Sequence, residues 1–163
     1  EDAIICKNDL ERNKLWEIRE NAAENEKKEL INSHAKKCLK HDISLPINNI
    51  EKFHQETQKM ISKKIKNTRT IFFGHLGDGN LHYNIFGNGK GDDGFENQSQ
   101  NITENLYKII EKLNGSFSAE HGIGQLKKDN LRFFKDPVAY DLMKNIKNMI
   151  DPKNIMNPGK ILI

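Results

Sequence analysis

Two β-prone runs on either side of a glycine-rich tetrapeptide restrict this chain more than any other feature. Thr70-Ile-Phe-Phe and Leu81-His-Tyr-Asn-Ile-Phe flank Gly77-Asp78-Gly79-Asn80, a pattern that predicts an antiparallel hairpin. A turn at 77–80, with Gly77 and Gly79 taking positive φ, sets Leu76 opposite Leu81 and His75 opposite His82. Opposed side chains lie about 5 Å apart at Cβ, close enough for two imidazoles to share one metal ion. The period of two along a strand puts Asn84 on the face of His82 and Phe73 on the face of His75.

The other segments arrange themselves around this hairpin. Ala3-Ile-Ile-Cys6 reads as the tail of a strand, and Leu10, Leu15, Trp16, Ile18, Ala22, Ala23, Leu30 and Ile31 mark one amphipathic helix or two, with a polar loop over 21–28. A strand over 35–45 runs into Pro46, which begins a helix bearing Ile50, Phe53, Met60 and Ile61. Beyond the loop from Gly87 to Gly94, Ile102, Leu106, Ile109, Ile110 and Leu113 define a helix, and Ser116-Phe-Ser-Ala119 a short strand. A last helix runs from Tyr140 to Asp151-Pro152. The fold class is therefore α+β: a ferredoxin-like βαββαβ antiparallel sheet with its helices on one face, plus flanking N- and C-terminal helices. Residues 1–34 read as the remnant of a preceding subdomain with a helix, and 35–163 as the ferredoxin-like domain.

Size and charge narrow the classes of function. With 163 residues, 36% hydrophobic and 30% charged with the signs interspersed, the chain is of soluble globular type. Its net charge of +3 comes from scattered lysines without arginine clusters, which argues against nucleic acid as a partner. Cys6 and Cys38 stand far apart and outside any CxxC pattern, which fits a reducing compartment. No apolar run reaches membrane-spanning length and the acidic start is no signal peptide, so the expected location is the cytoplasm, or the mitochondrial matrix in a eukaryote.

A second cluster, Ser118-Ala-Glu-His-Gly-Ile-Gly124, lies where a strand ends in a glycine turn. Glu120 and His121 are adjacent, so on extended backbone they point apart and can take different roles. Two histidines and a carboxylate leave open positions on Zn²⁺, or on Mn²⁺, Fe²⁺ or Co²⁺, and an open site is more often catalytic than structural. From the residues alone Glu120 is nearly as well read as a cap on the following turn as a ligand. His34, His41 and His54 read as ordinary satisfied histidines.

Gly74-His-Leu-Gly-Asp-Gly-Asn-Leu-His82, Ser118-Ala-Glu-His-Gly-Ile-Gly124 and Asp151-Pro-Lys-Asn-Ile-Met-Asn-Pro-Gly-Lys160 occur in this order, together with Leu15-Trp-Glu-Ile-Arg19 and Lys40-His-Asp-Ile-Ser-Leu-Pro46. Jointly they resemble the carboxy-terminal domain of FAD-linked oxidases, the family of D-lactate, glycolate and D-2-hydroxyglutarate dehydrogenases, and most nearly its D-2-hydroxyglutarate branch. The resemblance implies that His75, His82 and Glu120 ligate a divalent metal, zinc first, and that His121 is the catalytic base. It further implies that Arg19, Lys40 and Asn84 bind substrate and that Asn157 approaches FAD, although Asn157 reads equally as a loop-forming residue before Pro158. The chain departs from the D-2-hydroxyglutarate branch at Ala23, where that branch carries threonine, which leaves the length of the substrate open.

A 2-hydroxy acid can chelate such a metal through its hydroxyl and carboxylate, which lowers the hydroxyl pKa. The base then takes the proton while hydride passes to the flavin, giving a 2-oxo acid. In the family resembled the flavin domain is a separate unit, so the FAD-binding domain or subunit is expected before residue 1 and the chain alone is expected to be silent. The electron acceptor is left open, and a homodimer is allowed. A non-enzymatic metal-binding relic or interaction module, and a flavin-independent metal hydrolase, are the alternatives.

Overall fold

Residues 39, 41 and 43, and 81, 83 and 85, are alternate positions that turn to one face of their strands, and that face is the one covered. The computed structural model describes residues 4–32, 38–66, 68–87 and 94–162, with the backbone alone for 23, 29, 30 and 32. These form α1 (Asp9–Glu20), α2 (Ala22–Asn32), β1 (Cys38–Ser44), α3 (Ile50–Ser62), β2 (Arg69–Phe73), β3 (Asn80–Phe86), α4 (Phe95–Lys112), α5 (Lys128–Phe134) and α6 (Pro137–Ile150). The strands pair antiparallel in the order β1-β3-β2. Ile43, Leu81, Tyr83 and Ile85 of the sheet pack with Phe53 and Ile61 of α3 and Ile102, Leu106 and Ile110 of α4. Both helices thus lie on one face, and the fold is α+β as expected. Among the described residues no helix is long and apolar enough to cross a membrane.

The expected strand over 116–119 shrinks to a single antiparallel bridge between Ser116 and Ser44, on the outer edge of β1. The cause lies in Asp42: the amides of Ala119, Glu120 and His121 donate to its side chain instead of to a neighbouring strand. At the amino end the helix breaks at Asn21, and the polar stretch expected as a loop is helical from Ala22, aided by an i,i+4 ion pair between Glu24 and Lys28. Ile4, Ile5 and Cys6 form no strand. The last helix starts at Pro137 rather than Tyr140, because Asp136 caps it by accepting from the Ala139 N–H at 2.9 Å. Ala3, His34 with the expected boundary at 34/35, most of the loop from Gly87 to Gly94, and the side chains of Ala23 and Leu30 lie outside the described residues.

The hairpin needs a correction of register. The strands end at Phe73 and begin again at Asn80, joined by a turn of 3₁₀ helix over Leu76–Asp78 that closes at Gly79 with φ +70°. Gly79 alone of the two expected turn glycines takes positive φ. Phe73, not His75, therefore opposes His82. The slip is two residues, which is the side-chain period, so every residue keeps its expected face. His75 lies just past the strand end, where its carbonyl accepts from the Asn80 N–H at 3.1 Å.

His41 points into the core, as the reading of a satisfied histidine requires. Its Nδ1–H donates to the Tyr83 carbonyl and its Nε2 meets the Thr103 hydroxyl, both at 3.2 Å. Burial pushes its pKa down to about 4; the Tyr83 carbonyl partly opposes this and the Lys127 charge adds to it. Because the folded pKa is lowered, the stabilisation is present above the ordinary imidazole range and is lost as pH falls toward about 4. The shift corresponds to about 3 kcal/mol. Urea midpoints followed downward from neutral pH should fall in the wild type and fall less in His41→Gln; parallel declines would refute the assignment.

Candidate active site and metal centre

The sheet face away from α3 and α4 carries Lys40 and Asp42 from β1 and His82 and Asn84 from β3, with Asp42 opposite His82 and Lys40 opposite Asn84. Phe73 of β2 stands on the other side of His82, with ring centroids 5.2 Å apart. The 117–124 loop folds over this face and brings Glu120 and His121 to it. The loop is held by Asp42, whose Oδ2 accepts from the N–H groups of Ala119, Glu120 and His121 at 3.1, 3.0 and 2.9 Å. Half-buried Lys127 ties it from within, donating to the Phe117 carbonyl at 3.0 Å and meeting the Ser118 hydroxyl at 3.2 Å. Burial lowers the Lys127 pKa, and the charge of Asp42 pulls the other way.

Glu120 is the meeting point. Its Oε1 lies 2.9 Å from His75 Nδ1 and also accepts from the Asn80 amide. Its Oε2 lies 3.7 Å from His82 Nε2. The three residues implied as ligands are thus brought together, although the two histidines are not cross-strand partners. The His121 ring stacks on His82, 5.6 Å between centroids, and its Nδ1 is 3.9 Å from Asp42 Oδ2. Arg19 reaches the cluster from α1, with Nη2 3.4 Å from His75 Nε2 and its guanidinium over the Trp16 ring. Lys40 pairs with the buried carboxylate of Glu26 at 2.7 Å.

Asn157 is not part of this cluster. It stands in the exposed tail at φ +49°, and its carbonyl accepts from Lys160 N–H at 3.3 Å. Asp151 sets the tail's course by accepting from Ile155 N–H at 3.0 Å and Met156 N–H at 2.9 Å, and Lys147 holds it at 2.5 Å. The Lys147 hydrogen bond is the main cause that keeps the Asp151 carboxyl below its ordinary range. The Ile161 N–H then donates to the Gly124 carbonyl at 2.8 Å and ties the tail to the loop.

Asp42 and Asn80 are site residues that the sequence reading missed. The signal for Asp42 was available: counting two from Lys40 along the strand puts it on the same face. Burial raises its carboxyl pKa, but the His121 amide and ring and the Glu120 and Ala119 amides outweigh burial and hold it below the ordinary carboxylate range. Asp42, His82 and His121 also offer one donor atom each within 4.8 Å of one another. In this second set Oδ2, the oxygen facing His121, already accepts three hydrogen bonds, which leaves Oδ1, 3.9 Å from His82 Nδ1, as the oxygen without a hydrogen-bond partner among the described residues. The His75, His82 and Glu120 set combines nitrogen and oxygen donors of the kind Zn²⁺ takes and stands partly open, so the residues fit a divalent metal.

The family described as FAD linked oxidases, C-terminal domain, matches residues 1–161. The chain is 34% identical over 161 residues to the D-2-hydroxyglutarate dehydrogenase of Stutzerimonas stutzeri, covering 98% of this chain and 33% of that protein. It is 34% identical over 161 residues to the probable mitochondrial D-2-hydroxyglutarate dehydrogenase of Oryza sativa subsp. indica, covering 99% and 26%. With the mitochondrial D-2-hydroxyglutarate dehydrogenase of Danio rerio it shares 36% over 148 residues, covering 91% and 26%. The chain thus spans about a quarter to a third of the length of these relatives.

Proposed function

This chain belongs to the FAD linked oxidases, C-terminal domain, and from that premise we propose that it supplies the substrate- and metal-binding part of an FAD-dependent dehydrogenase. The substrate is a D-2-hydroxy acid of the D-2-hydroxyglutarate or D-lactate type and the product its 2-oxo acid. The observation that carries the reading is the convergence of His75 and His82 on the two oxygens of Glu120, beside His121. The relatives' names support the substrate class. FAD belongs to a domain or subunit that the described residues do not include, and the chain's own chemistry covers substrate binding and proton removal. The compartment is the mitochondrial matrix in a eukaryote and otherwise the cytoplasm.

His75, His82 and Glu120 would hold a divalent ion, which would supply Lewis acidity that lowers the pKa of the substrate hydroxyl. His121 takes the hydroxyl proton; its Nδ1 faces Asp42, which leaves Nε2 to the substrate side. Arg19, beside His75, and Lys40, beside Asn84 in the register, offer positive charge to substrate carboxylates, with Glu26 as the competitor that a carboxylate must displace from Lys40. Asn84 turns its amide to the same face. Asn157 is the residue offered to the flavin.

The test is 2-hydroxy-acid-dependent bleaching of the flavin in the full-length or reconstituted enzyme. His121→Gln should lower kcat by about 10²–10⁴-fold with Zn²⁺ affinity kept. Absence of bleaching in the wild type would end the reaction class, and full activity in His121→Gln would end the role of the base.

A further inference from the structure

Asp42 does two jobs with two oxygens, and only one of them is structural. Oδ2 gathers the amides of Ala119, Glu120 and His121 and so places the loop. Oδ1 is buried, has no hydrogen-bond partner among the described residues, and lies 3.9 Å from His82 Nδ1. A buried carboxylate oxygen without a partner is costly, and of the two favourable approaches to an imidazole nitrogen, across a proton or across a cation, the buried Asp42 side suits the proton whereas the exposed Glu120 side is open to an ion. A small turn of the His82 ring would close the gap to hydrogen-bond distance.

The opposite end of the same ring shows the consequence. With the proton on Nδ1, Nε2 presents a lone pair, and it faces Glu120 Oε2 across 3.7 Å. Two lone pairs facing across such a gap repel unless a cation stands between them. Donor atoms around a tetrahedral ion with bonds of about 2.1 Å are separated by about 3.4 Å, so the gap is of the right order.

The geometry points to Asp42 as the positioning residue of this centre: it fixes His82 in the Nδ1–H tautomer, so that Nε2 and Glu120 Oε2 together face the divalent cation. A carboxylate behind a metal-ligating histidine sets both ring orientation and basicity. This inference rests on the metal reading proposed above, but its first consequence, the tautomer, exists without metal.

Asp42→Asn separates the two jobs. The asparagine carbonyl still accepts from the three amides, whereas its NH₂ now faces His82 and demands a lone pair on Nδ1, which moves the proton to Nε2. The experiment is carried out on the full chain with ¹⁵N-labelled histidine, the tautomer of His82 being read from its ring nitrogen shifts above the ordinary imidazole pKa. Zn²⁺ uptake is measured against a competing chelator. The expected results are Nδ1–H in the wild type, Nε2–H in Asp42→Asn, and a fall of about 10–100-fold in Zn²⁺ affinity in the variant with the amide signals of residues 119–121 retained. Nε2–H in the wild type, or wild-type Zn²⁺ affinity in Asp42→Asn, overturns the proposal. If the wild type takes up no Zn²⁺, the metal reading fails, and the wild-type tautomer still decides the role of Asp42. The same wild-type measurement decides if the variant does not fold.

Discussion

The double variant His75→Ala, His82→Ala is expected to lose stoichiometric Zn²⁺ binding, with an affinity at least about 10⁴-fold weaker. A four-ligand zinc site is worth about 10–16 kcal/mol, or about 2.5–4 kcal/mol per ligand, so two ligands account for about 5–8 kcal/mol at about 1.4 kcal/mol per decade. The fold should survive. His75 is half exposed, and its side-chain contacts go to Arg19 and Glu120 and not to the core. His82 lies on the open face of β3, away from Ile43, Leu81 and Tyr83. Isothermal titration with Zn²⁺ or Mn²⁺ and a thermal melt of the metal-free protein check the two halves. Stoichiometric binding that survives both substitutions would remove these histidines from the site, whereas binding kept in His75→Ala and lost in His82→Ala would point to the Asp42, His82 and His121 set instead.

Gly79→Ala should be the most destabilising single change in the hairpin, at about 3–5 kcal/mol against a typical total of about 5–15 kcal/mol. The left-handed backbone at φ +70° costs an alanine about 1–2 kcal/mol. The rest is steric: a Cβ there would stand 1.9 Å from the Leu45 carbonyl oxygen, so the backbones must part, and with them goes the 3.0 Å hydrogen bond from the Leu45 N–H to the Gly79 carbonyl. Gly77→Ala is the control. It has ordinary φ and nothing within 4 Å of the added methyl, so it should cost no more than about 0.5 kcal/mol. Urea midpoints of the two variants decide, and equal midpoints would show that the approach of Leu45 to the turn is not what holds the hairpin.

These glycines show how the sequence and the fold divide the information. From sequence they are alike, two glycines around an aspartate, and a short turn at 77–80 is the simplest way to close the hairpin. The chain instead makes a turn of 3₁₀ helix and closes it at Gly79, because there the turn meets Leu45, a residue from another part of the chain. Such a contact has no local signature. The expected opposition of His75 and His82 fails for the same reason, yet both remain on the expected side, since the slip equals one strand period.

Glu120 and Asp42 stand at the two ends of this scale. Glu120 was nameable through motif resemblance, and from the residues alone it was nearly as much a cap as a ligand. Its meeting with both histidines is a product of the loop's placement. Asp42 lay inside a motif, one strand period from Lys40, and still went unread, because its partners are backbone amides that follow it by 77, 78 and 79 positions.

What the sequence by itself determined is whatever depends on local repetition: the amphipathic helices, the alternation that assigns each strand residue to the core or the open face, the α+β class, and the motifs that carry the family. What only the tertiary structure decided is the length of the hairpin turn, the reduction of the last strand to a bridge at Ser116, and the convergence of Glu120 with His75 and His82. The physical reason is one of range. Periodicity acts through neighbours a few residues apart, whereas the site is assembled by a buried carboxylate and a close backbone approach between segments that meet only once the core has formed.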